Sequence, residues 1–333
     1  MCIKFNFLDK KNINYFLNFL LSLTVGLSIL FFVFKDVDIS SYSSRIQKVS
    51  SSWFLFAIFI SLFEFIVRAY RWNLLLEFKY KKLSVYKTTL GLIISYLSAI
   101  ILPRINDIVR CYVLTKTDKV KFSMSIGSVV TERIVDLISV FILSLILLLV
   151  EFDRFYNYLM IEVVANTEID KIVYYLFLFF SICIFLYFFL NQIFRRFGFY
   201  EKFTEKINEF KSGLLSIFSL EKKLEFFMST IILWLIYFFV GYILFFSVEE
   251  TSMLGFSAAL SILVAGAIGT IVPVNAGIGA YHLFVSSILI YYGIVYEDAL
   301  FFATLVHANQ VIAIMFYGLI SLIFFYFNVY KRN

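Results

Sequence analysis

The stretch "LPRINDIVR", Leu102 to Arg110, decides how this chain folds. It follows the apolar run "TLGLIISYLSAII" and precedes "CYVL", so one of the two prolines in 333 residues stands beside two arginines and an aspartate. Proline lacks the backbone N–H that a helix interior needs, and it breaks or kinks helices. The stretch therefore predicts a helix that stops at Pro103, with charged side chains at the break.

The composition indicates an integral membrane protein. Hydrophobic residues make up 62% of the chain and charged residues 16%, and the mean hydropathy is +0.90. Soluble domains average about 45–50% apolar and about 25% charged residues. The apolar runs are roughly 20 residues long and do not alternate, which is typical of spanning helices. They fall at 14–34, 53–72, 86–102, 124–150, 172–190, 225–248, 255–272, 278–293 and 299–327.

The connections between these runs sort by charge. Most of the 29 basic residues lie in the connections at 1–13, 68–87, 104–121 and 191–224 and at the C-terminus. The remaining connections are acidic, at 151–170, 249–250 and 297–298. The positive-inside rule places the basic connections in the cytoplasm. We therefore expect a multi-pass protein of the cytoplasmic (inner) membrane with both termini cytoplasmic, and the basic excess requires no nucleic-acid partner.

Two proline breaks reconcile the charge pattern with the apolar runs. The basic connections on both sides of 86–102 share one face only if 86–114 enters the membrane, breaks at Pro103 and returns. By the same reasoning, 255–293 enters from the opposite face and breaks at Pro273. The alternative is that 86–102 simply crosses and violates the rule once. The predicted fold class is an all-α polytopic membrane protein with about six full transmembrane helices and two oppositely oriented re-entrant hairpins, an arrangement typical of inverted-repeat transporters.

Three further features complete the predicted organisation. The first run, 14–34, is followed by "KDVDISS" without a small-residue cleavage pattern, so we expect a retained helix and not a signal peptide. Residues 200–223 place apolar side chains at helical spacing among lysines, which predicts an amphipathic helix on the cytoplasmic surface. A plain connector is the alternative there. No soluble domain is evident, and 1–333 is predicted to be one membrane domain.

Ionisable side chains form three clusters within or beside the apolar runs. Each costs roughly 2.5–3.5 kcal/mol at mid-depth, so each is a functional candidate that faces a cavity. The clusters are Arg104, Asp107 and Arg110; Glu132, Arg133 and Asp136 on a stripe with Ser125, Ser128 and Ser139; and Glu64, Arg68 and Arg71. The alternatives are a structural ion-pair network for the second cluster and snorkelling in an aromatic belt for the third. Because guanidinium groups bind phosphate bidentately, the clusters together favour a lipid headgroup that carries phosphate and a second polar group.

The second break, "GTIVPVNAGIGAYH", is rich in glycine and uncharged. We expect the two breaks to line the cavity through Pro103, Pro273, Asn275, Gly277, Gly279 and His282. The only two histidines, His282 and His307, could relay protons, or they could be packed without a function. The three cysteines form no metal-binding spacing, and we expect no metal and no cofactor.

The motifs "RAYRW", "PRINDIVR", "TERIVDLI" and "VPVNAGIGAYH" occur in an order that resembles the flippase-like membrane domain of lysylphosphatidylglycerol synthases. The resemblance covers roughly 60–320. Members of that family typically show Pro-Arg-x-Gly-Glu-x-x-Arg, which matches here at Pro103, Arg104 and Arg110. Asp107 stands in the acidic place, and Asn106 replaces the glycine. The resemblance implies translocation of a lipid, and stand-alone relatives are linked to dolichol-phosphate sugars.

Two other family motifs differ in how well they match. The Glu-Arg-x-x-Asp motif is intact at Glu132, Arg133 and Asp136. The late loop usually reads Pro-Ser-Pro-Gly-Gly-x-Gly with a glutamate three residues later. Here Pro273, Gly277 and Gly279 match that pattern, whereas Asn275, Ala276 and His282 depart from it. The departure at His282 removes the acidic residue on which an inherited headgroup preference would depend.

The resemblance and the charges together predict a lipid translocase and not an enzyme. It would move a phospholipid or a polyprenyl-phosphate-linked glycan between leaflets, with a membrane lipid as substrate and the bilayer as surroundings. A lipid-synthesising enzyme or a second copy of the chain would be further partners. The expected substrate-binding residues are Arg68, Arg71, Arg104, Asp107, Arg110, Glu132, Arg133 and Asp136.

Two other functions remain open from the sequence. One is a membrane-embedded enzyme acting on a lipid phosphate or sugar, and the other is an ion-coupled transporter of a soluble solute. Family synthases carry a soluble aminoacyl-transfer domain after the membrane part, and this chain stops at Asn333. We therefore expect that the chain does not make lysylphosphatidylglycerol by itself.

Overall fold

The computed structural model describes Thr24 and residues 28–35, 40–80, 83–101, 105–152, 204–271 and 277–327. Several sequence predictions fall outside these residues. They are most of the run at 14–34, the whole run at 172–190, and the site residues Pro103, Arg104, Pro273 and Asn275.

A helical stretch at 28–34 precedes the helices that we number from residue 40 onward. These are α1 Ser40–Lys48, α2 Ser51–Leu76, α3 Val85–Ile101, α4 Asn106–Asp118, α5 Phe122–Val150, α6 Thr204–Leu214, α7 Lys223–Phe245, α8 Phe256–Ile271, α9 Ala280–Tyr291 and α10 Tyr296–Phe325. Short 3₁₀ helices lie at Ser216–Ser219 and Glu249–Thr251.

The predicted fold class is confirmed as a polytopic α-helical membrane protein. Among the residues that the structure describes, none lies in a strand. Helices α2, α5, α7 and α10 have 26, 29, 23 and 30 residues, and each is long and apolar enough to cross a membrane. The other two of the six predicted spans, at 14–34 and 172–190, lie largely or wholly outside the described residues.

The helices on either side of each predicted break fold back on one another. At the first break, a Cβ added to Gly91 of α3 would come within 2.8 Å of Cγ1 of Val113 in α4. At the second break, a Cβ added to Gly266 of α8 would lie 2.8 Å from the ring of Tyr281 in α9. In both pairs the contacting residues lie on opposite sides of the break, so the chain reverses there.

The lengths of these helices fit arms that do not cross a bilayer. Helix α4 has 13 residues, and at about 1.5 Å per residue it extends roughly 20 Å, less than a hydrocarbon core of about 30 Å. Helices α8 and α9 have 16 and 12 residues. Re-entry from opposite membrane faces, with the hairpin bounds 86–114 and 255–293, stays a prediction.

Helix α2 lies among most of the other long helices. It packs against α7, α3, α10 and α5. At one end, the Ser50 backbone N–H donates to the carbonyl of Ser247 at 2.9 Å. At the other end, the hydroxyl of Tyr70 donates to the Glu225 carboxylate. Lys222, just before α7, pairs at 2.9 Å with Glu77, the C-cap residue of α2. These contacts fix the position of α2 along α7.

Helix α6 crosses α5 at two glycines. A Cβ added to Gly127 would lie 2.1 Å from the carbonyl oxygen of Phe210, and one added to Gly213 would lie 2.1 Å from that of Met124. The Thr131 hydroxyl donates across the same crossing, 2.7 Å from the carbonyl of Leu214. Within 200–223 the structure describes a helix over Thr204–Leu214 that packs against α5. Its position on the cytoplasmic surface stays a prediction.

A charged contact also joins α6 to the start of α5. Lys121 donates to the Glu209 carboxylate, and the Ser123 hydroxyl donates to its other oxygen at 2.7 Å. The hydrogen bond from Lys121 lowers the pKa of Glu209. Because the pKa is lower in the folded protein, the contact stabilises the fold at pH values above the usual pKa of glutamate. This stabilisation is lost as the pH falls through the lowered pKa.

Gly213→Ala should separate α6 from α5, because the new methyl group has backbone and not a flexible side chain in its way. We expect a loss of about 1–3 kcal/mol in the free energy of unfolding, as is typical of overpacking. The measurement is the thermal unfolding midpoint of the purified protein in detergent. The control is Gly255→Ala, where nothing lies within 4 Å of the added Cβ. Equal midpoints for Gly213→Ala and wild type would contradict the crossing.

Candidate functional site

Described residues from each of the three predicted clusters of charge meet in one network between α2, α4 and α5. Its members come from different parts of the chain, and ion pairs connect them directly. The network contains Arg68 and Arg71 from α2, Asp107 and Arg110 from α4, and Glu132, Arg133 and Asp136 from α5.

The carboxylate of Glu132 is the centre of this network. Nη2 of Arg71 donates to its Oε1 at 3.0 Å, and Nη1 of Arg110 donates to its Oε2 at 2.7 Å. Nη1 of Arg68 lies 3.5 Å from Oε1. Glu132 and Arg71 have no exposed surface, and Arg110 is 2% exposed. One buried carboxylate therefore joins helices α2, α4 and α5.

Asp136 extends the network one turn along α5. Nη2 of Arg71 also donates to its Oδ1 at 2.7 Å, and Nη2 of Arg68 lies 3.7 Å from its Oδ2. The same arginine nitrogen thus bridges Glu132 and Asp136. A carboxylate pair spaced one turn apart on a helix can hold an arginine in this way because residues i and i+4 are neighbours on the helix surface.

The accessible edge of the network is the contact between Asp107 and Arg133. Nη2 of Arg133 donates to Oδ1 of Asp107 at 2.9 Å, and Arg110 lies 2.9 Å from the same oxygen. The side chains of Arg133 and Asp107 are 40% and 32% exposed, respectively. A ligand approaching the network would meet this pair before the buried Glu132.

Two aromatic side chains complete the walls around the arginines. The guanidinium carbon of Arg110 lies 4.9 Å from the ring centroid of Trp72, and the Trp72 indole N–H donates to the Ser128 hydroxyl at 2.9 Å. Arg68 donates to the hydroxyl of Tyr237 on α7 at 2.6 Å. Stacking on an aromatic ring stabilises a guanidinium group that has lost water. Ser128 therefore acts by orienting the ring against which Arg110 lies.

The network is buried in the first half of α5. Glu132 is the eleventh of its 29 residues, and the most apolar part of the helix follows it. Buried ions cost several kcal/mol each unless they are paired. The pairing described above therefore offsets the cost of burying these charges.

Several arginine donors in the network have no hydrogen-bond acceptor among the described residues. They are Nη1 of Arg68, Nε and Nη1 of Arg71, and Nε and Nη2 of Arg110. Two of these atoms still lie within 3.5 Å of a carboxylate oxygen. Nε and Nη1 of Arg71 and Nε of Arg110 do not have even that contact in the described residues. Unsatisfied buried donors are rare and costly, and an added hydrogen-bond acceptor would satisfy them.

The sequence predicted most of this network but misjudged parts of it. Snorkelling in an aromatic belt is wrong for Arg68 and Arg71, because both are buried and paired with carboxylates. Glu64 shares α2 with them but is absent from the ion pairs of the described network. The role of Trp72 was not predicted, although "RAYRW" places it beside the arginines. Tyr237 was not predicted either, and it lies in an apolar run with no local polar pattern.

The second break places its described residues at the start of α9. Gly277 and Gly279 have φ values of +77° and +83°, a region that side chains with a Cβ rarely adopt. His282 is 4% exposed, and its ring centroid lies 5.0 Å from that of His307 on α10. The two breaks therefore differ in chemistry. The described residues after the first belong to an arginine–carboxylate network, and those after the second include a pair of imidazoles.

The fold and the buried network define a class: a polytopic helical membrane domain built around a buried charged site. In a comparison with known protein families, the family model described as the lysylphosphatidylglycerol synthase TM region matches residues 19–318. The chain belongs to this family. The suspected resemblance is thus confirmed, and it associates the domain with lipid handling. Comparisons with curated proteins and with solved structures gave no match.

Glu132→Gln should strongly destabilise the fold, because it leaves Arg71 and Arg110 buried without their shared counter-charge. Removing one partner of a buried ion pair costs about 3–5 kcal/mol, and we expect a loss of that order in the free energy of unfolding. Glu250→Gln, which changes an exposed carboxylate, is the matched control. Both variants are measured by thermal unfolding in the same detergent. A Glu132→Gln protein as stable as its control would show that the network does not support the fold.

Proposed function

We propose that this protein is a lipid translocase that moves a phosphate-bearing lipid headgroup between leaflets of the cytoplasmic membrane. The observation that carries the proposal is the set of buried arginine donors without acceptors around Glu132. A phosphate offers several anionic oxygens and matches guanidinium groups in bidentate fashion. The family relationship supports a lipid as the bearer of that phosphate.

The exposed edge of the network supplies the first step of the proposed mechanism. Asp107 and Arg133 are the accessible pair, and Arg110 contacts Asp107 on one side and Glu132 on the other. A phosphate that displaces Asp107 from Arg133 would be adjacent to Arg110. The carboxylate released in this exchange can then accept from the amine or hydroxyl groups of the headgroup.

The buried part of the network supplies the second step. Arg71 and Arg110 each hold Glu132 with one nitrogen and keep other donors without an acceptor, so a phosphate can bind the spare donors before it replaces the carboxylate. Exchange of Glu132 for phosphate at Arg110 and Arg71 would bring the headgroup into the buried part of the network. Since the ligand arrives with its own negative charge, the arginines remain paired throughout the exchange.

The lipid chains need an apolar path beside this polar one. Two grooves of about 350 and 480 Å³ lie along α2 and share Ile66 and Val85. The first runs between α2 and α7 as far as Tyr70 and Glu225, and the second lies between α2, α3 and α10. Their linings are mostly apolar, so acyl or prenyl chains fit them. In the proposed mechanism, the chains stay in the bilayer along these grooves while the headgroup moves through the network.

The proposed topology follows the sequence prediction. Both termini are cytoplasmic, and α3–α4 and α8–α9 are re-entrant hairpins from opposite faces. The reversal of the chain at both breaks and the shortness of α4 support this arrangement. The chain carries out no chemical step in this account.

Arg110→Lys tests the proposal in purified protein reconstituted into liposomes. Lysine keeps the charge but lacks the planar fork, so we expect roughly a tenfold or greater loss in the rate of leaflet exchange of fluorescent phospholipids and polyprenyl-phosphate sugars. Arg45→Lys is the matched control, because Arg45 pairs with Glu297 outside the network and its variant should exchange lipid at the wild-type rate.

A second variant protects the test against misfolding. Glu132→Asp keeps the counter-charge and shortens the carboxylate arm, so a folded protein with altered exchange is expected. Wild-type rates in both Arg110→Lys and Glu132→Asp would refute the role of the network in translocation. A chemically changed lipid, detected by mass spectrometry after incubation with wild type, would replace translocation by an enzymatic function.

A further inference from the structure

The only two histidines of the chain lie together although they belong to different helices. The ring centroids of His282 in α9 and His307 in α10 are 5.0 Å apart, at an interplanar angle of 63°. The Tyr281 ring lies 5.7 Å from His307, and the Phe34 ring lies 6.1 Å from His282. The fold therefore creates an imidazole pair in an aromatic setting, separate from the arginine network.

One of these imidazoles caps α9. The backbone N–H of Gly279 donates to Nδ1 of His282 at 3.4 Å, and Gly279 is the N-cap residue with a positive φ. In this arrangement Nδ1 is an acceptor, so the hydrogen of the neutral ring is on Nε2. A proton added at Nδ1 converts the acceptor into a donor that faces another N–H. It also places a positive charge at a helix N-terminus, where the helix dipole disfavours cations.

We propose that His282 and His307 form a shared proton-binding site in which a proton on Nδ1 of His282, and not one on His307, releases the cap at the start of α9. Histidine is the side chain whose ordinary titration falls between about pH 5 and pH 8. Two imidazolium rings at this separation repel each other, so the pair holds one proton more readily than two. With the proton on His307 the cap is intact, and with the proton on Nδ1 of His282 the cap is broken. This inference goes beyond the proposed translocase and does not depend on it.

Among the described residues, the titratable side chains on the elements around the pair are tyrosines, the carboxylates at the start of α10, and Lys35, which follows Phe34. From α9 itself Tyr281 faces the pair, and from α1 Tyr42 contacts Phe34 with ring centroids 6.1 Å apart. Helix α8, which packs on α9, has no ionisable side chain between Phe256 and Ile271. The nearest carboxylates along α10 are Glu297 and Asp298 at its start, and both pair with Arg45.

The direct test is a pH titration of protein labelled with nitrogen-15 histidine in lipid nanodiscs. Only two imidazoles contribute to the spectrum, and each is assigned by its absence in His282→Gln or His307→Asn. We expect coupled titration in which His307 takes up a proton first and His282 at more acidic pH, because the cap and a charged His307 both oppose a proton on His282. Removing one histidine should move the midpoint of the other by roughly one pH unit. Equal midpoints in wild type and single variants, or no titration of either ring, would overturn the proposal.

The link to α9 needs a second measurement. Amide hydrogen exchange of the peptide that begins at Gly279, corrected for the intrinsic effect of pH, should be faster in wild type at acidic pH than at neutral pH. His282→Gln keeps an acceptor that does not titrate and should lose this dependence. Gln310→Ala, an exposed polar position on α10, should keep it. Coupled titration with no change in exchange would overturn the link to the cap.

Neither the histidine titration nor the amide exchange measures lipid transport. The proposed proton site and the proposed translocase activity can therefore be refuted independently of each other. Loss of leaflet exchange in every lipid tested would refute the translocase and leave the titration unaffected. Conversely, independent titration of the two imidazoles would refute the proton site in a protein that still moves lipid. If either histidine variant misfolds, the proton uptake of the wild-type pair decides the question. Uptake in two separate steps supports the site, and uptake of two protons at one midpoint refutes it.

Discussion

The structure depends on one buried carboxylate that neutralises arginines from two other helices. Glu132 accepts hydrogen bonds from Arg71 and Arg110, and none of these side chains is more than 2% exposed. A bilayer offers no water to replace these contacts, so α2, α4 and α5 must meet at this level. The lengths and breaks of the surrounding helices are consistent with that requirement: α2 and α5 are long enough to span, whereas α4 begins directly after the first break and carries its charges into the network.

Other contacts hold this meeting point in place. Helix α6 crosses α5 at Gly127 and Gly213, and the Thr131 hydroxyl, adjacent in sequence to Glu132, donates across that crossing. The contacts of Tyr70 and Lys222 fix the position of α2 along α7. A change in any of these interfaces would move an arginine relative to its carboxylate. Helix packing therefore controls the binding chemistry, because the same contacts orient the donors of Arg71 and Arg110 that lack acceptors.

The sequence was sufficient to predict the helical membrane fold and most of the charged site, because apolar runs and buried charges are strong local signals. The spacing of Glu132, Arg133 and Asp136 on one helix identified them, and Pro103 indicated the reversal between α3 and α4. Partners distant in the chain were not predictable in this way. Tyr237 contacts Arg68 only after α7 packs on α2, and the two histidines meet only after α9 packs on α10. The close approach of α6 to α5 was equally hidden, since each glycine is unremarkable until the other is opposite it.

The central claim is that the arginine network binds the phosphate of a lipid. Its most direct test is native mass spectrometry of the protein after exposure to equal amounts of a phospholipid and an uncharged diacylglycerol with the same chains. We expect wild type to retain the phospholipid in preference to the diacylglycerol. In Arg110→Lys this preference should fall roughly tenfold, because lysine lacks the planar guanidinium group. Equal retention of the two lipids by wild type would show that the apolar grooves alone explain the binding and that the network does not bind phosphate.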